Sequence, residues 1–394
     1  MRILIAAERL GRAGGMERYL DVVLPLLAAR GATVHVLARE LDGVPNGASA
    51  ERVVWSGEHD EPSGPARAEV RRVLASFAPD AAVAHNVMDA GIVEALRAAP
   101  RLAYHLHDHR PFCPNGDRLF PRSARVCELP LGRACVLHAV TDGCAYGIRP
   151  ATLALIRRRA RLRDAIAAAD AVIAASAYVR ARASANGIAP EKLIEIPLPL
   201  PDDAYAETVV PATRRAVVFA GRIVPQKGLD SLVRAVARIA PSDRPPVRAF
   251  GDGPALARVR EEARRLGVVL EAPGAVSPET VRAAIDEGTL VAVPSVWAEP
   301  FGYVGIETFA RGRTVVAYGV GGVSAWLADG VNGRTVRRAD EAALANALDA
   351  LLRDERLREG YERNARASAE RYRAAPVVDA LLGAYAPPRR AGAA

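Results

Sequence analysis

Short apolar runs alternate with longer stretches in which apolar residues recur every three or four positions, and the alternation continues for most of the chain. Residues 3–7 are wholly apolar. After the turn Gly11-Arg-Ala-Gly14-Gly15, residues 16–29 carry apolar side chains at helical spacing, and residues 33–38 are again mostly apolar. A short run without polar alternation suits a strand covered on both faces, and the three-to-four spacing suits the helix that covers it. The pattern therefore predicts a βαβ unit with parallel strands. Residues 81–85, 102–106, 171–175 and 193–197 read as further strands, with helices over 66–77, 153–168 and 177–186. The polar stretch 40–80, with Asp60, Pro62, Ser63 and Gly64, reads as a surface connection ahead of the helix at 66.

Residues 197–215 are Pro-rich and without period, which reads as a linker between domains. From residue 216 the alternation restarts with a strand over 216–220 and an apolar run at 290–294. Helices follow at 301–310 and 341–352, then a polar helix to about 372. A chain of 394 residues exceeds what one ordinary core supports, so two domains are expected, 1–200 and 201–375. The fold class predicted is α/β, two Rossmann-like domains facing across a cleft.

Half of the residues are hydrophobic and a quarter charged, a globular balance. No apolar run reaches the roughly 20 residues of a membrane-spanning helix, and the apolar start is too brief for a secretory signal. A cytoplasmic enzyme is expected, with peripheral contact at the inner face of a membrane left open. The net charge of +8 comes from arginine, since Lys192 and Lys227 are the two lysines. That balance favours an anionic small molecule or membrane face. Sparse aromatics, 5% of residues, and the lack of a recognition motif argue against nucleic acid.

The densest chemistry lies at 290–322. Glu299 stands before Pro300, which suits the first turn of a helix, and Glu307 falls in that helix's second turn. Two carboxylates thus sit at the carboxyl end of a strand beside a helix N-terminus, the edge where open α/β sheets bind nucleotides. With seven residues between them, in the setting Glu-Pro-Phe-Gly, they resemble the signature of retaining glycosyltransferases of family 4. Gly221-Arg222 with Lys227-Gly228 resembles the diphosphate-binding turn of that family. Phe250-Gly-Asp-Gly-Pro254 is similar to its next strand end, and Gly321-Gly322 with Asp329-Gly330-Val-Asn-Gly333 to its last loops. Gly14-Gly15-Met16-Glu17 resembles its amino-terminal glycine loop. One departure is Ala325, where the family commonly has Glu, and it bears on donor contacts of that loop.

The resemblance implies the GT-B fold, with residues 376–394 crossing back to the first domain. It implies retaining transfer of a hexose from a nucleotide diphosphate sugar, UDP-sugar favoured and GDP-sugar open, to an acceptor the sequence does not identify. In that reading Glu307 holds the ribose diol, and Glu299 holds donor-sugar hydroxyls, aided by backbone N–H groups near Phe301 and Gly302. Arg222 and Lys227 neutralise the leaving diphosphate, so no cofactor is required, and residues 273–277 hold the base. Gly14 and Gly15 approach the donor, His107 and Asp108 face donor sugar and acceptor, and Glu17 lies on the acceptor side.

Blander readings stand beside these. The glycine turn serves packing alone, Glu17 is a helix-dipole partner, and His107 is a structural histidine. The five arginines at 157, 158, 159, 161 and 163 form a solvated face or dock to an anion. All four cysteines, Cys113, Cys127, Cys135 and Cys144, fall within an insert at about 110–146. A shared structural zinc or iron–sulfur cluster, free thiols, and disulfides all fit them. Rival functions are a transferase forming an S- or N-glycosidic linkage, a sugar phosphorylase, and a noncatalytic sugar-nucleotide or metal-binding regulator.

Overall fold

In the computed structural model, which describes residues 1–11, 15–55, 64–147 and 150–387, each half of the chain builds a wholly parallel sheet. The first holds β1 (Arg2–Leu10), β2 (Thr33–Leu41), β3 (Ala48–Arg52), β4 (Ala81–His85), β5 (Leu102–Leu106), β6 (Ala171–Ala174) and β7 (Leu193–Glu195). Their order is β3-β2-β1-β4-β5-β6-β7. The second holds β8 (Arg214–Ala220), β9 (Val247–Phe250), β10 (Leu270–Gly274), β11 (Gly288–Val293), β12 (Val315–Tyr318) and β13 (Gly333–Val336), in the order β10-β9-β8-β11-β12-β13. Every residue of β4, β5, β6, β11 and β12 is buried, the consequence of helices on both faces of a parallel sheet.

The helices in chain order are α1 (Gly15–Ala29), α2 (Gly64–Phe77), α3 (Ala90–Leu96), α4 (Arg133–Thr141), α5 (Pro150–Ala167) and α6 (Ala177–Ala185). Then come α7 (Leu229–Ala237), α8 (Leu256–Arg265), α9 (Pro278–Glu287), α10 (Tyr303–Ala310), α11 (Glu341–Arg353), α12 (Glu355–Ala369) and α13 (Ala374–Tyr385). Two units result, one of residues 1–199 with 374–394 and one of residues 200–373. Helix α13 packs beside α1, β4 and β5. There Arg30 pairs with Asp379 and donates to the Ala375 carbonyl at 2.9 Å, and Arg101 donates to the Ala384 carbonyl at 2.8 Å.

Chain direction along each sheet reverses once, between β1 and β4 in the first unit and between β8 and β11 in the second. At such a reversal the connecting helices leave to opposite faces, and a crevice opens beyond the carboxyl ends of the two strands.

Several local expectations are corrected. The stretch 40–80 is not all connection, because Ala48–Arg52 pairs with β2 as an edge strand; its polar residues suit an edge, where period alone is a weak guide. Helices α3 and α4 escaped the periodicity reading, α3 because it is only seven residues long and α4 because it lies in the insert where Pro and Gly interrupt the period. The presumed linker is partly core. Ala204, Tyr205 and Ala206 are buried, and Tyr205 Oη donates to the Ala369 carbonyl at 2.8 Å, so apolar burial overrides the proline count. Pro300 does not open the helix, which starts at Tyr303 behind Gly302. Among the described residues, no helix is long and apolar enough to cross a membrane.

Candidate active-site residues at two switch points

In the second unit the β8 and β11 ends are joined by backbone contacts only glycine permits. Gly228 follows the 3-10 turn Pro225–Lys227 with φ +73°, and a Cβ there would stand 2.0 Å from the Pro294 carbonyl oxygen. Val296 N donates to the Gln226 carbonyl at 2.9 Å, locking the two loops together. The result places Lys227 Nζ 2.5 Å from Glu299 Oε1, with the ammonium also 5.4 Å from the Trp297 ring centre. Ser295 Oγ donates to the same carboxylate oxygen at 2.6 Å. Burial of Glu299, 3% exposed, raises its pKa, but the Lys227 charge and the bonds from Lys227, Ser295 and Trp297 outweigh it. The group titrates below the usual carboxylate range. Arg222 follows β8, exposed, and has no carboxylate partner among the described residues.

Behind this pair, Gly321 and Gly322 pack onto the backbone of Glu299. Gly322 N donates to the Glu299 carbonyl at 2.6 Å, and a Cβ on Gly321, at φ +57°, would meet that oxygen at 2.3 Å. Phe301 is buried, and its carbonyl accepts from Trp326 Nε1 at 2.7 Å. Gly302 turns the chain into α10 at φ +102°, and Glu307 is buried one turn into that helix. The adjoining loop of Gly251-Asp-Gly253 lies against Gly221-Arg222-Ile223, with Ile223 N donating to the Asp252 carbonyl at 2.8 Å. The 273–277 loop leaves β10, where the Gly274 carbonyl accepts from Gly251 N at 2.9 Å. Thus Arg222, Lys227 and Glu299 converge on the β8/β11 switch point, and Phe301, Gly302 and Glu307 follow directly from it. Ser295, Trp297 and Trp326 support them and were missed. Of these, Ser295 and Trp297 stood inside the stretch the sequence singled out as chemical, and Trp326 lies just beyond it.

The first unit is organised differently. His85 ends β4 and pairs in register with His105 on β5, and His107 follows on the same face two residues later. His85 Nδ1 and His107 Nε2 share a hydrogen bond of 2.9 Å. The His105 and His107 rings stack at 4.3 Å, and the Tyr19 ring of α1 covers both at 4.8 and 5.0 Å. Burial pushes all three imidazoles down, His107 to about 3 with help from the Arg110 charge, so all are neutral at neutral pH. Their ligand atoms all lie within 4.8 Å of one another, a spacing that could admit a metal ion. The sequence reading named His107 and missed His85 and His105; the pairing of the β4 and β5 ends, invisible before the strands are aligned, is what joins them.

Asp108 is committed locally. Its carboxylate accepts from Arg110 N at 2.8 Å and from Arg110 Nε at 2.7 Å. Glu17 is buried in the first turn of α1. Gly15 begins that helix, and among the described residues nothing lies within 4 Å of a Cβ placed there. Gly14 lies outside the described residues. Of the arginines on α5, Arg159 is buried, Arg161 pairs with Glu94 at 2.8 Å and Arg163 with Asp164 at 2.7 Å, so the run is not one free cationic face.

The cysteines are unbridged and partly buried. Burial raises Cys113 to about 11 and Cys144 to about 12, so neither is a thiolate nucleophile at neutral pH. A larger cavity, of about 670 Å³, lies at the amino-terminal ends of β8 and β11, the edge of the sheet away from Lys227 and Glu299.

Residues 13–203 match the family model described as Glycosyltransferase Family 4, and residues 203–368 match that of Glycosyl transferases group 1. The chain belongs to the family 4 glycosyltransferases. One relative, a D-inositol 3-phosphate glycosyltransferase of Stackebrandtia nassauensis, is 38% identical over 205 residues, 48% of this chain and 43% of the relative. The family 4 chain spans less than half the length of the curated relatives it matches. Among solved structures, Anabaena HepE in complex with UDP superposes with a TM-score of 0.72 at 20% identity, covering 97% of this chain and 99% of that one. Sucrose-phosphate synthase from Thermosynechococcus elongatus gives 0.74 at 18% identity, covering 98% of each chain. These likenesses identify the fold of this family 4 protein as GT-B.

Proposed function

We propose that the protein transfers a hexose from a nucleotide diphosphate sugar, a UDP-sugar first, to an acceptor hydroxyl with retention of configuration. The observation that carries this reading is the Lys227–Glu299 pair at the β8/β11 switch point, with Arg222 directly after β8 in the same loop as Lys227. Two cations at one strand end suit a diphosphate, whose negative charge grows as the glycosidic bond breaks. The binding of UDP by HepE, a protein of the same fold, supports the choice of nucleotide.

In this reading the donor diphosphate approaches Lys227 and Arg222, and Glu299 turns its carboxylate toward hydroxyls of the sugar. Glu307 accepts two hydrogen bonds from the ribose diol, for which a carboxylate has paired acceptors. The leaving phosphate oxygen takes the proton of the acceptor hydroxyl on the same face, so no pair of carboxylates flanking the bond is needed. His107, neutral, serves as a hydrogen-bonding group toward the sugar rather than as a cation.

The test is a thermal-shift series with UDP, GDP and their hexose conjugates, followed by NMR of the product anomer. UDP ligands should raise the melting temperature according to concentration over Kd, and the product should keep the donor's anomeric configuration. Absence of any nucleotide-dependent shift, or an inverted product, overturns the proposal.

A further inference from the structure

The insert between β5 and α5 brings its four cysteines to one small cavity of about 30 Å³. They arrive from separate turns. Cys113 follows the 3-10 turn Arg110–Phe112, and Cys127 lies on a hairpin closed by the Leu119–Val126 bridge. Cys135 sits in the first turn of α4, and Cys144 opens the 3-10 turn Cys144–Tyr146. Residues scattered over 32 positions do not converge on one point by local geometry. Three further contacts hold the turns in place: Cys127 N to the Arg118 carbonyl at 2.7 Å, Cys135 N to the Gly132 carbonyl at 3.0 Å, and Ala145 N to Asn115 Oδ1 at 2.5 Å.

One feature of the surroundings asks for negative charge there. The Arg118 side chain is 1% exposed and lines the same cavity as the four cysteines. One of its terminal nitrogens donates to the Leu129 carbonyl at 2.9 Å, its Nε has no hydrogen-bond partner, and no carboxylate pairs with it among the described residues. A buried guanidinium facing neutral thiols is a costly arrangement, because an unpaired charge has lost its water and gained no counter-ion.

We propose that Cys113, Cys127, Cys135 and Cys144 bind one structural Zn²⁺ as a tetrathiolate site. Four thiols and one Zn²⁺ give a complex of net charge −2 with release of four protons, and Arg118 then has its anion. Four thiolates are the ligand set of a structural tetrahedral Zn²⁺, and the cavity is lined by all four cysteines. The four thiols at this cavity are free, and binding draws their sulfurs to Zn–S distances of about 2.3 Å. Such a crosslink would anchor the segment that starts at Asp108 and Arg110, immediately after His107. The assignment stands independently of the donor reading.

The test uses the full chain purified without chelator or added metal. Elemental analysis should find about one zinc per chain, and cobalt exchanged for it should give the absorption of a tetrahedral tetrathiolate. Cys113→Ser and Cys144→Ser should each lose the metal, whereas His138→Ala, at a cavity-lining residue whose Nδ1 is already bonded to Asp142, should keep it. Arg118→Met should weaken zinc about 10-fold or more, as loss of an outer-shell partner does. Because a serine variant can fail to fold, wild-type metal content and the cobalt spectrum decide on their own. Metal-free protein with four reactive thiols, an intact mass showing two disulfides, or an iron chromophore overturns the proposal. So does zinc that survives both serine variants and is lost in His105→Ala, which would place it at the histidine group.

Discussion

At the β8/β11 switch point a buried carboxylate keeps its charge because Lys227 Nζ lies 2.5 Å away, whereas at the ends of β4 and β5, beside the β1/β4 switch point, three buried imidazoles carry none. Both places lie at the carboxyl ends of parallel strands and are similarly buried, so burial alone does not set protonation. The partner does. Glu299 meets an ammonium and a hydroxyl donor, while His107 meets neutral rings and an arginine already paired with Asp108. The second unit thus offers separated charges suited to a diphosphate sugar, and the first offers neutral hydrogen-bonding groups.

The sharpest way to break this contrast is to remove the cation. Lys227→Ala should lower transfer by roughly 10²–10³-fold, the cost of losing one group aimed at developing charge. It should also destabilise the second unit by about 2 kcal/mol, below the usual figure for a broken buried pair because the lysine is partly exposed. Lys227→Ala with Glu299→Gln should recover most of that stability and none of the activity; denaturant melts and donor turnover measure both. Glu307→Ala, by contrast, should lose donor affinity in the thermal-shift series with the fold retained. Next in size is Gly228→Ala. With the Pro294 oxygen 2.0 Å from the new Cβ and φ at +73°, it should cost about 2–3 kcal/mol and loosen the loop carrying Glu299.

Acid should separate the two units. The histidines titrate below their ordinary 6.5 in the folded protein, so between the two values the unfolded chain binds more protons. Their contribution is complete above 6.5 and declines as pH falls, reaching about 3 for His107. Glu299, depressed below 4.5, contributes above 4.5 and loses that only as pH falls through its folded value. Acidifying from about pH 7 to about pH 5 should therefore speed hydrogen exchange at β4 and β5 before the 294–302 loop. Equal protection in both segments would contradict the contrast. The smallest effect concerns Gly15→Ala. With open space around the new Cβ it should change stability by no more than about 0.5 kcal/mol, yet weaken donor binding if the start of α1 receives the donor.

Much of the fold was legible because parallel strands buried on both faces leave unbroken apolar runs. The strands at 81–85 and 102–106 were bounded correctly from pattern alone, since five consecutive buried positions admit no polar residue that water must reach. Edge strand β3 was not, because Ala48–Arg52 is half exposed and carries no such run. The same division holds for chemistry. Glu299, Glu307, Arg222 and Lys227 stood out because their loops resemble family 4 motifs, whereas His85 and His105 were not singled out, being ordinary strand ends until placed side by side.

The sequence by itself determined the two α/β series, the acids and cations at the second unit's strand ends, and the clustering of the cysteines, because these depend on order and spacing along the chain. Tertiary structure alone decided that Lys227 neutralises Glu299, that Asp108 is spent on Arg110, and that His85, His105 and His107 lie together uncharged. Protonation and pairing depend on which groups from distant segments meet and how much water remains between them. Spacing along a chain does not encode either.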